Sequence, residues 1–175
     1  MRVLTFSRHY PATHTKKGEL TKFPEKIWQG LFHPLSPRII ELSEFIRDYH
    51  YIFPTQESWK NQTPKLHTIR AGKRWKAGDW FSPRVWNGKP RQPGSKHVII
   101  APDMQLTRVA EITIDWEFNV CIDGVYLTYH NELAANDGLT NEDFHDWFIP
   151  HVKKLKEGEV WIGQILIWSN YKLPY

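Results

Sequence analysis

Residues 110–118 read AEITIDWEF, and this stretch decides the fold class. It alternates strictly between apolar and polar side chains, the apolar ones being Ala110, Ile112, Ile114, Trp116 and Phe118. Successive side chains of a strand point to opposite faces, so the alternation predicts a strand with one buried and one solvated face. Ile112, Ile114 and Trp116 are expected to point into the core, together with Ile165 or Leu166 from a later strand.

The neighbouring residues extend the same pattern. Asp123 and Gly124 separate two short apolar runs, VCI and VYL, and an Asp-Gly pair in that position predicts a two-residue hairpin. Residues 159–169 form a long apolar run after Gly158, which predicts the last strand, and residues 2–7 predict the first.

Helical spacing of apolar residues is found elsewhere in the chain. Residues 23–32 and 37–49 carry apolar side chains three and four positions apart. A third helix is expected after Thr140, a good N-cap residue with Asp143 three positions later, and Pro150 is expected to stop it. The prediction is one α+β domain over residues 1–175, containing a small, mostly antiparallel β-barrel flanked by helices.

The charges of the chain are segregated although the net charge is only +4. Residues 60–97 carry ten Lys or Arg and one acid, whereas residues 103–147 carry ten Asp or Glu and one Arg. The basic block is typical of a surface that binds a polyanion such as RNA. An equally good interpretation is that the two blocks face each other in the fold.

Several classes of protein are not indicated by the sequence. No apolar run approaches the length of a membrane span, and the N-terminus lacks the apolar core of a secretory signal. Cys121 is the single cysteine, so no internal disulfide is possible. A cytoplasmic protein that does not bind membranes is expected. The nine histidines show no metal-ligand spacing, and neither a metal nor a cofactor is expected.

Residues 65–86, KLHTIRAGKRWKAGDWFSPRVW, interleave cations with tryptophans. Single-stranded nucleic acids are recognised by this combination, because cations hold phosphates and indoles stack on bases. The residues expected to bind RNA or a nucleotide are Arg70, Lys73, Arg74, Trp75 and Arg84. The alternative is that the tryptophans belong to the core and the cations only solvate its outer surface.

Four segments together resemble the ASCH domain family of the PUA-like superfamily. They are KLHTIRAGKRWKAGD at residues 65–79, the opening LTFSRHYPATH with GELTKFPEKI, LAANDGLTNEDFHDWF at residues 133–148, and GQILIW at residues 163–168. The resemblance implies a small β-barrel flanked by helices, and residues 34–64 look like a helical insertion into it.

The family signature is Gly-x-Lys-x-x-Glu-x-Arg, which Lys65 and Arg70 match. Thr63 stands in place of the glycine and Thr68 in place of the glutamate. A threonine there resembles the small amidohydrolases that remove acyl groups from N4-acylated cytidines. The resemblance implies a catalytic set of Lys65, Thr68 and a downstream acid, which corresponds to Asp137 in place of a glutamate.

Three functions follow from these observations. The first is a binding module that holds RNA or a modified nucleotide in a basic, aromatic-lined cleft. The second is the amidohydrolase with Lys65, Thr68 and Asp137. A third, a ribonuclease using His67 or His97 as general base, has the least support. The binding module ranks first on sequence alone, because it requires only charge and shape, whereas catalysis requires three residues to converge.

Overall fold

The structure is a computed structural model that describes residues 1–32, 39–54, 59–170 and 173–175. The described helices are α1 (Phe23–Leu31), α2 (Ile39–Ile52), α3 (Asn131–Asn136) and α4 (Asn141–Val152), with a 3-10 turn at Trp59–Asn61. The strands are β1 (Arg2–Thr5), β2 (His67–Ala71), β3 (Trp80–Trp86), β4 (His97–Ile99), β5 (Met104–Gln105), β6 (Arg108–Asp115), β7 (Val120–Ile122), β8 (Val125–Tyr126) and β9 (Val160–Ile167). The chain is therefore an α+β protein, as the sequence predicts.

The alternating stretch forms β6, at the centre of a five-stranded antiparallel sheet ordered β2-β9-β6-β7-β8. Ile112 and Ile114 are fully buried on one face, and Ile165 and Leu166 of β9 are buried as well, as expected. The expectation for Trp116 is wrong, because this side chain is 41% exposed.

The strand stops before Trp116 because Asp115 begins a tight turn. Its Oδ1 accepts hydrogen bonds from the backbone N–H groups of Glu117 at 3.0 Å and Asn119 at 2.8 Å. Phe118 takes a left-handed backbone conformation, with φ of 69°, and β7 follows directly. The Asp123–Gly124 hairpin forms as predicted, and Ile122 pairs with Val125 across it.

The other sheet has four strands, with β3 paired to β1, β4 and β5. The pairing of β1 with β3 is parallel, and the remaining described pairs are antiparallel. The closed barrel expected from the sequence is wrong for the described strands, which divide into these two sheets. Edge strands β5 and β8 are only two residues long, and short edges need less protection by closure.

The two sheets share a core. Trp168, directly after β9, packs edge-on against Phe6 and lies 5.8 Å from Phe81 of the four-stranded sheet, between ring centroids. Residues 33–38 and 55–58 lie outside the described residues, so only α2 and the turn represent the expected insertion near residues 34–64. Among the described helices, none is both long and apolar enough to cross a bilayer.

Helix α4 begins as the sequence predicts but continues further. Thr140 Oγ1 accepts a hydrogen bond from the Asp143 N–H at 3.1 Å, which caps the first turn. Pro150 does not end the helix, which continues to Val152. The missing proline N–H costs one hydrogen bond in the last turn, and the following residues retain helical conformation around it.

Candidate active site

Backbone hydrogen bonds bring three distant segments together around Lys65. The Lys65 N–H donates to the carbonyl of Lys26 in α1 at 2.8 Å, and the Leu66 N–H donates to the carbonyl of Asn136 in α3 at 2.8 Å. Strand β2 starts immediately afterwards, and Asp137 follows α3 as its C-cap residue. The start of β2 is thereby fixed against the middle of α1 and the end of α3.

Lys65 and Asp137 form a buried ion pair. Lys65 Nζ donates to Asp137 Oδ1 and also to the main-chain carbonyl of Asp137. The side chain of Lys65 is fully buried and that of Asp137 is 8% exposed. The ammonium also lies 4.2 Å from the centre of the Phe23 ring, a favourable cation–π position.

The chain conformation next to Asp137 supports this close packing. Gly138 has φ of +74°, a left-handed conformation that favours glycine. A Cβ atom at Gly138 would lie 3.3 Å from the Cβ atom of Lys65 and 3.2 Å from the Lys26 side chain. Lys26 Nζ donates to the Gly138 carbonyl at 2.6 Å, so this turn is held from two sides.

Burial changes the acid–base properties of the pair. It lowers the pKa of Lys65 to about 8, although the Asp137 carboxylate acts in the opposite direction. Burial also raises the pKa of Asp137, against the effect of the Lys65 ammonium. Both changes favour the uncharged forms of the two side chains. A proton therefore moves more easily between Lys65 and Asp137, or between this pair and a neighbouring group, than it does between exposed side chains.

Thr68 and Asp137 line the same small cavity. Its volume is about 30 Å³, and its other polar lining residues are Ser7 and Arg70. Phe23, Ile69, Trp147 and Phe148 complete the wall. Thr68 is 5% exposed, and Lys65 contacts Asp137 without lining the cavity itself. The structure therefore brings all three predicted catalytic residues to one place, with Asp137 in contact with both the cavity and Lys65.

Arg70 is the one predicted binding residue that lines this cavity. Its Nη2 donates to the carbonyl of Thr5 at 2.7 Å, and its guanidinium lies 5.4 Å from the centre of the Phe6 ring. Its Nε is buried without a hydrogen-bond partner among the described residues. A polar ligand in the cavity would satisfy this donor.

The other predicted binding residues do not converge on the cavity. Lys73 forms an ion pair with Glu111, and Arg84 Nε donates to Ser82 Oγ at 3.3 Å. The backbone N–H groups of Arg74 and Trp75 both donate to Gln164 Oε1. Neither these four residues nor their contacts form part of the cavity wall.

The opposite charges of the two blocks meet in two ion pairs of the described residues. Lys65 pairs with Asp137 and Lys73 pairs with Glu111, and in each case the cation comes from the basic block and the carboxylate from the acidic block. The alternative in which the blocks face each other is thus realised at these positions. The basic block therefore contains a buried cation, Lys65, as well as exposed ones such as Lys73.

His67 is a buried neighbour of the pair. Its Nδ1 lies 3.7 Å from Asp137 Oδ1, and its Nε2 lies 2.7 Å from the Tyr175 hydroxyl, which also accepts from Asn136 at 3.0 Å. Burial and the Lys65 charge lower the pKa of His67 well below its usual value, so the ring is neutral. His97 lies in the other sheet, with its ring tilted against that of Trp86, so the two histidines do not share a site.

Phe23, Ser7 and Trp147 are lining residues that sequence reasoning missed. Phe23 and Trp147 lie on helices, and their place in the apolar spacing of those helices indicates core residues rather than a site. The only available signal for Ser7 was its place in the segment that resembles the family opening.

No family model, curated protein or solved structure matches the chain.

Proposed function

We propose that this protein is an amidohydrolase that removes a small acyl group from the exocyclic nitrogen of an acylated cytidine. The observation that carries the proposal is the buried Lys65–Asp137 pair beside the cavity that Thr68 lines. The resemblance to the ASCH family, in which threonine at the position of Thr68 is typical of such enzymes, supports the same assignment. A PUA-like fold, with its barrel opened into two sheets, is part of this proposal.

A threonine hydroxyl needs a base before it can attack an amide. Asp137 borders the cavity, and the Lys65 amine is bonded directly to its carboxyl group. With a pKa of about 8, a tenth of the Lys65 side chains are neutral at about pH 7, far more than for an exposed lysine. The pair can therefore accept a proton from Thr68 through the Asp137 carboxyl group.

The reaction has two steps in this mechanism. The Thr68 oxygen attacks the acyl carbon, its proton passes to the Asp137–Lys65 pair, and the pair gives a proton to the cytidine nitrogen as the amide bond breaks. Water then attacks the Thr68 ester, and the pair transfers a proton from water back to the Thr68 oxygen. The carboxylic acid leaves, and Thr68 and the pair regain their initial protonation.

Arg70 is positioned to stabilise the negative charge that develops on the acyl oxygen. It lines the cavity, and its Nε is buried without a partner among the described residues. A fixed donor in a site that excludes water stabilises an oxyanion more strongly than the same donor in water. A cavity of about 30 Å³ is about the size of one water molecule, so it has room only for the reacting carbonyl end of a substrate.

The rate should increase with pH up to about 8. The neutral form of Lys65 is the active one, and a lowered pKa of about 8 means that this form is lost as pH falls below 8. From pH 8 to pH 6, kcat/KM is expected to fall by roughly fiftyfold, since half of the Lys65 side chains are neutral at pH 8 and about one in a hundred at pH 6. The measurement is a pH–rate profile with N4-acetylcytidine. A profile already level between pH 6 and pH 8 would show that Lys65 is not the titrating base.

The proposal is tested by incubating the purified protein with N4-acetylcytidine and measuring cytidine and acetate. Turnover that depends on Thr68 is expected, with cytidine and acetate formed in equal amounts. Absence of turnover with N4-acylated cytidines of different acyl length would overturn the proposal.

Binding of single-stranded RNA is the second candidate function. Exposed cations favour it, because Lys89, Arg91 and Lys96 lie on the loop after β3, next to the half-buried Trp86. Phosphate neutralisation releases counterions, so RNA affinity should drop steeply between low and physiological salt. A flat salt response, or no binding at low salt, would remove this candidate.

A further inference from the structure

A larger cleft lies beside the small cavity. It has a volume of about 490 Å³ and is lined by two segments, residues 5–9 at the end of β1 and residues 86–90 at the end of β3. Strands β1 and β3 are parallel, so their carboxyl ends meet at one edge of the sheet. Ligand sites are common at this edge of parallel strands, because the loops that leave it diverge.

The cleft lining is basic. Arg8 and Lys89 lie on opposite segments, and no Asp or Glu is among the lining residues of the described chain. Arg8 is held in place, because its guanidinium stacks 3.4 Å from the centre of the Phe53 ring and its Nε donates to the Tyr49 hydroxyl at 3.3 Å. A guanidinium has four further N–H donors on its two terminal nitrogens, and these can donate to a phosphate.

One acidic group acts on Arg8 from α1. The Glu25 carboxyl interacts with Arg8 electrostatically, and burial raises its pKa. A raised pKa reduces the negative charge that competes with an anionic ligand. His9 lines the cleft as well, and burial together with the neighbouring Arg8 lowers its pKa, so its ring supplies hydrogen bonds rather than charge.

The cleft also offers an aromatic surface. Trp86 is half-buried, and one part of its indole packs on His97 with ring centroids 4.0 Å apart. Asn87 and the hydroxyl groups of Thr5 and Ser7 supply donors and acceptors. A cleft of this volume with an indole and a few polar groups is of the size that takes one nucleotide.

The cleft and the small cavity share a wall. Ser7 lines both, and the Thr5 carbonyl, at the edge of the cleft, accepts the hydrogen bond from Arg70. A molecule whose acyl end enters the small cavity would therefore extend into the cleft. The small cavity has no room for the sugar of a nucleotide or for a phosphate on that sugar.

We propose that the cleft binds the phosphate of the substrate, through Arg8 and Lys89, so that the substrate is an acylated cytidine mononucleotide rather than a nucleoside. This inference rests on the proposed function for the acyl end. The volume of about 490 Å³ favours a single nucleotide over a strand of RNA. The phosphate lies on the two cations while Trp86 contacts the base or the sugar.

The test compares binding of cytidine and of cytidine 5′-monophosphate by calorimetry at low salt. The monophosphate is expected to bind at least about tenfold more tightly, since hydrogen bonds to a charged group are the strong ones. Lys89→Gln and Arg8→Gln should each remove most of this difference. Lys154→Gln, which removes an exposed cation outside the cleft, is the matched control and should leave it unchanged.

Equal affinities for the two ligands, or an unchanged monophosphate affinity in Lys89→Gln, would overturn the inference. Lys89 is exposed, so its variant is expected to fold. An RNA oligomer that binds far more tightly than the monophosphate would overturn the choice of a single nucleotide.

This experiment is independent of turnover. Thr68→Ala should bind the monophosphate like the wild type, because Thr68 does not line the cleft. Hydrolysis of N4-acetylcytidine without preference for the phosphorylated form would refute the inference and leave the proposed function standing. Monophosphate preference in a protein that hydrolyses neither form would refute the proposed function instead.

Discussion

Thr68→Ala should reduce kcat/KM for N4-acetylcytidine by about a thousandfold or more, because it removes the oxygen that attacks the acyl carbon. Little stability should be lost, since the substitution removes only a hydroxyl and a methyl group next to an existing cavity. Steady-state kinetics and thermal unfolding of the same preparation measure both effects. Because Thr68 and the Lys65–Asp137 pair act as one unit, combining Thr68→Ala with Asp137→Asn should scarcely lower the rate further.

Two control variants make this prediction specific. Thr68→Ser retains a hydroxyl and should retain much of the activity, whereas Ser7→Ala removes the other hydroxyl of the cavity wall and should leave turnover in place. Thr68→Ala with a rate close to that of the wild type would mean that water attacks the amide directly.

Lys65→Met should destabilise the protein by about 3–5 kcal/mol, because it leaves the buried carboxylate of Asp137 without its partner. Lys65 is fully buried, so its removal affects the packing of the core as well as the charge of Asp137. Chemical denaturation of the variant measures the loss.

A double variant separates the charge effect from packing. Lys65→Met with Asp137→Leu removes both charges and should recover most of the stability, since buried ion pairs can be replaced by apolar residues at little cost. Lys73→Met, which breaks the exposed pair with Glu111, should change the melting temperature little. Equal melting temperatures for Lys65→Met and the wild type would contradict the described burial of the pair.

The fold could be predicted where the determining pattern is local. Alternation along residues 110–118 and the Asp-Gly turn are properties of adjacent residues, and the strand forms as far as Asp115 while the turn forms as expected. Trp116 could not be predicted, because the strand ends through hydrogen bonds to the Asp115 side chain. The two separate sheets could not be predicted either, because they depend on the parallel pairing of β1 with β3.

The candidate site could be predicted only through the resemblance of its residues to a family pattern. Residue types alone do not indicate that Lys65 and Asp137 are in contact, and lysine is rarely fully buried. The cleft residues Arg8 and Lys89 were missed because the fold brings together segments that are far apart in sequence. Lys73 was expected at a ligand, and its partner Glu111 is reached only because β2, β9 and β6 are adjacent strands.

The central claim is that Thr68 carries the acyl group during turnover. Protein mixed with N4-acetylcytidine and quenched with acid within one turnover should gain the mass of one acetyl group, which peptide mapping should place on Thr68. Thr68→Ala should show no adduct under the same conditions. An acetyl group on Ser7 or Lys65 in place of Thr68, or rapid turnover by Thr68→Ala, would contradict the account.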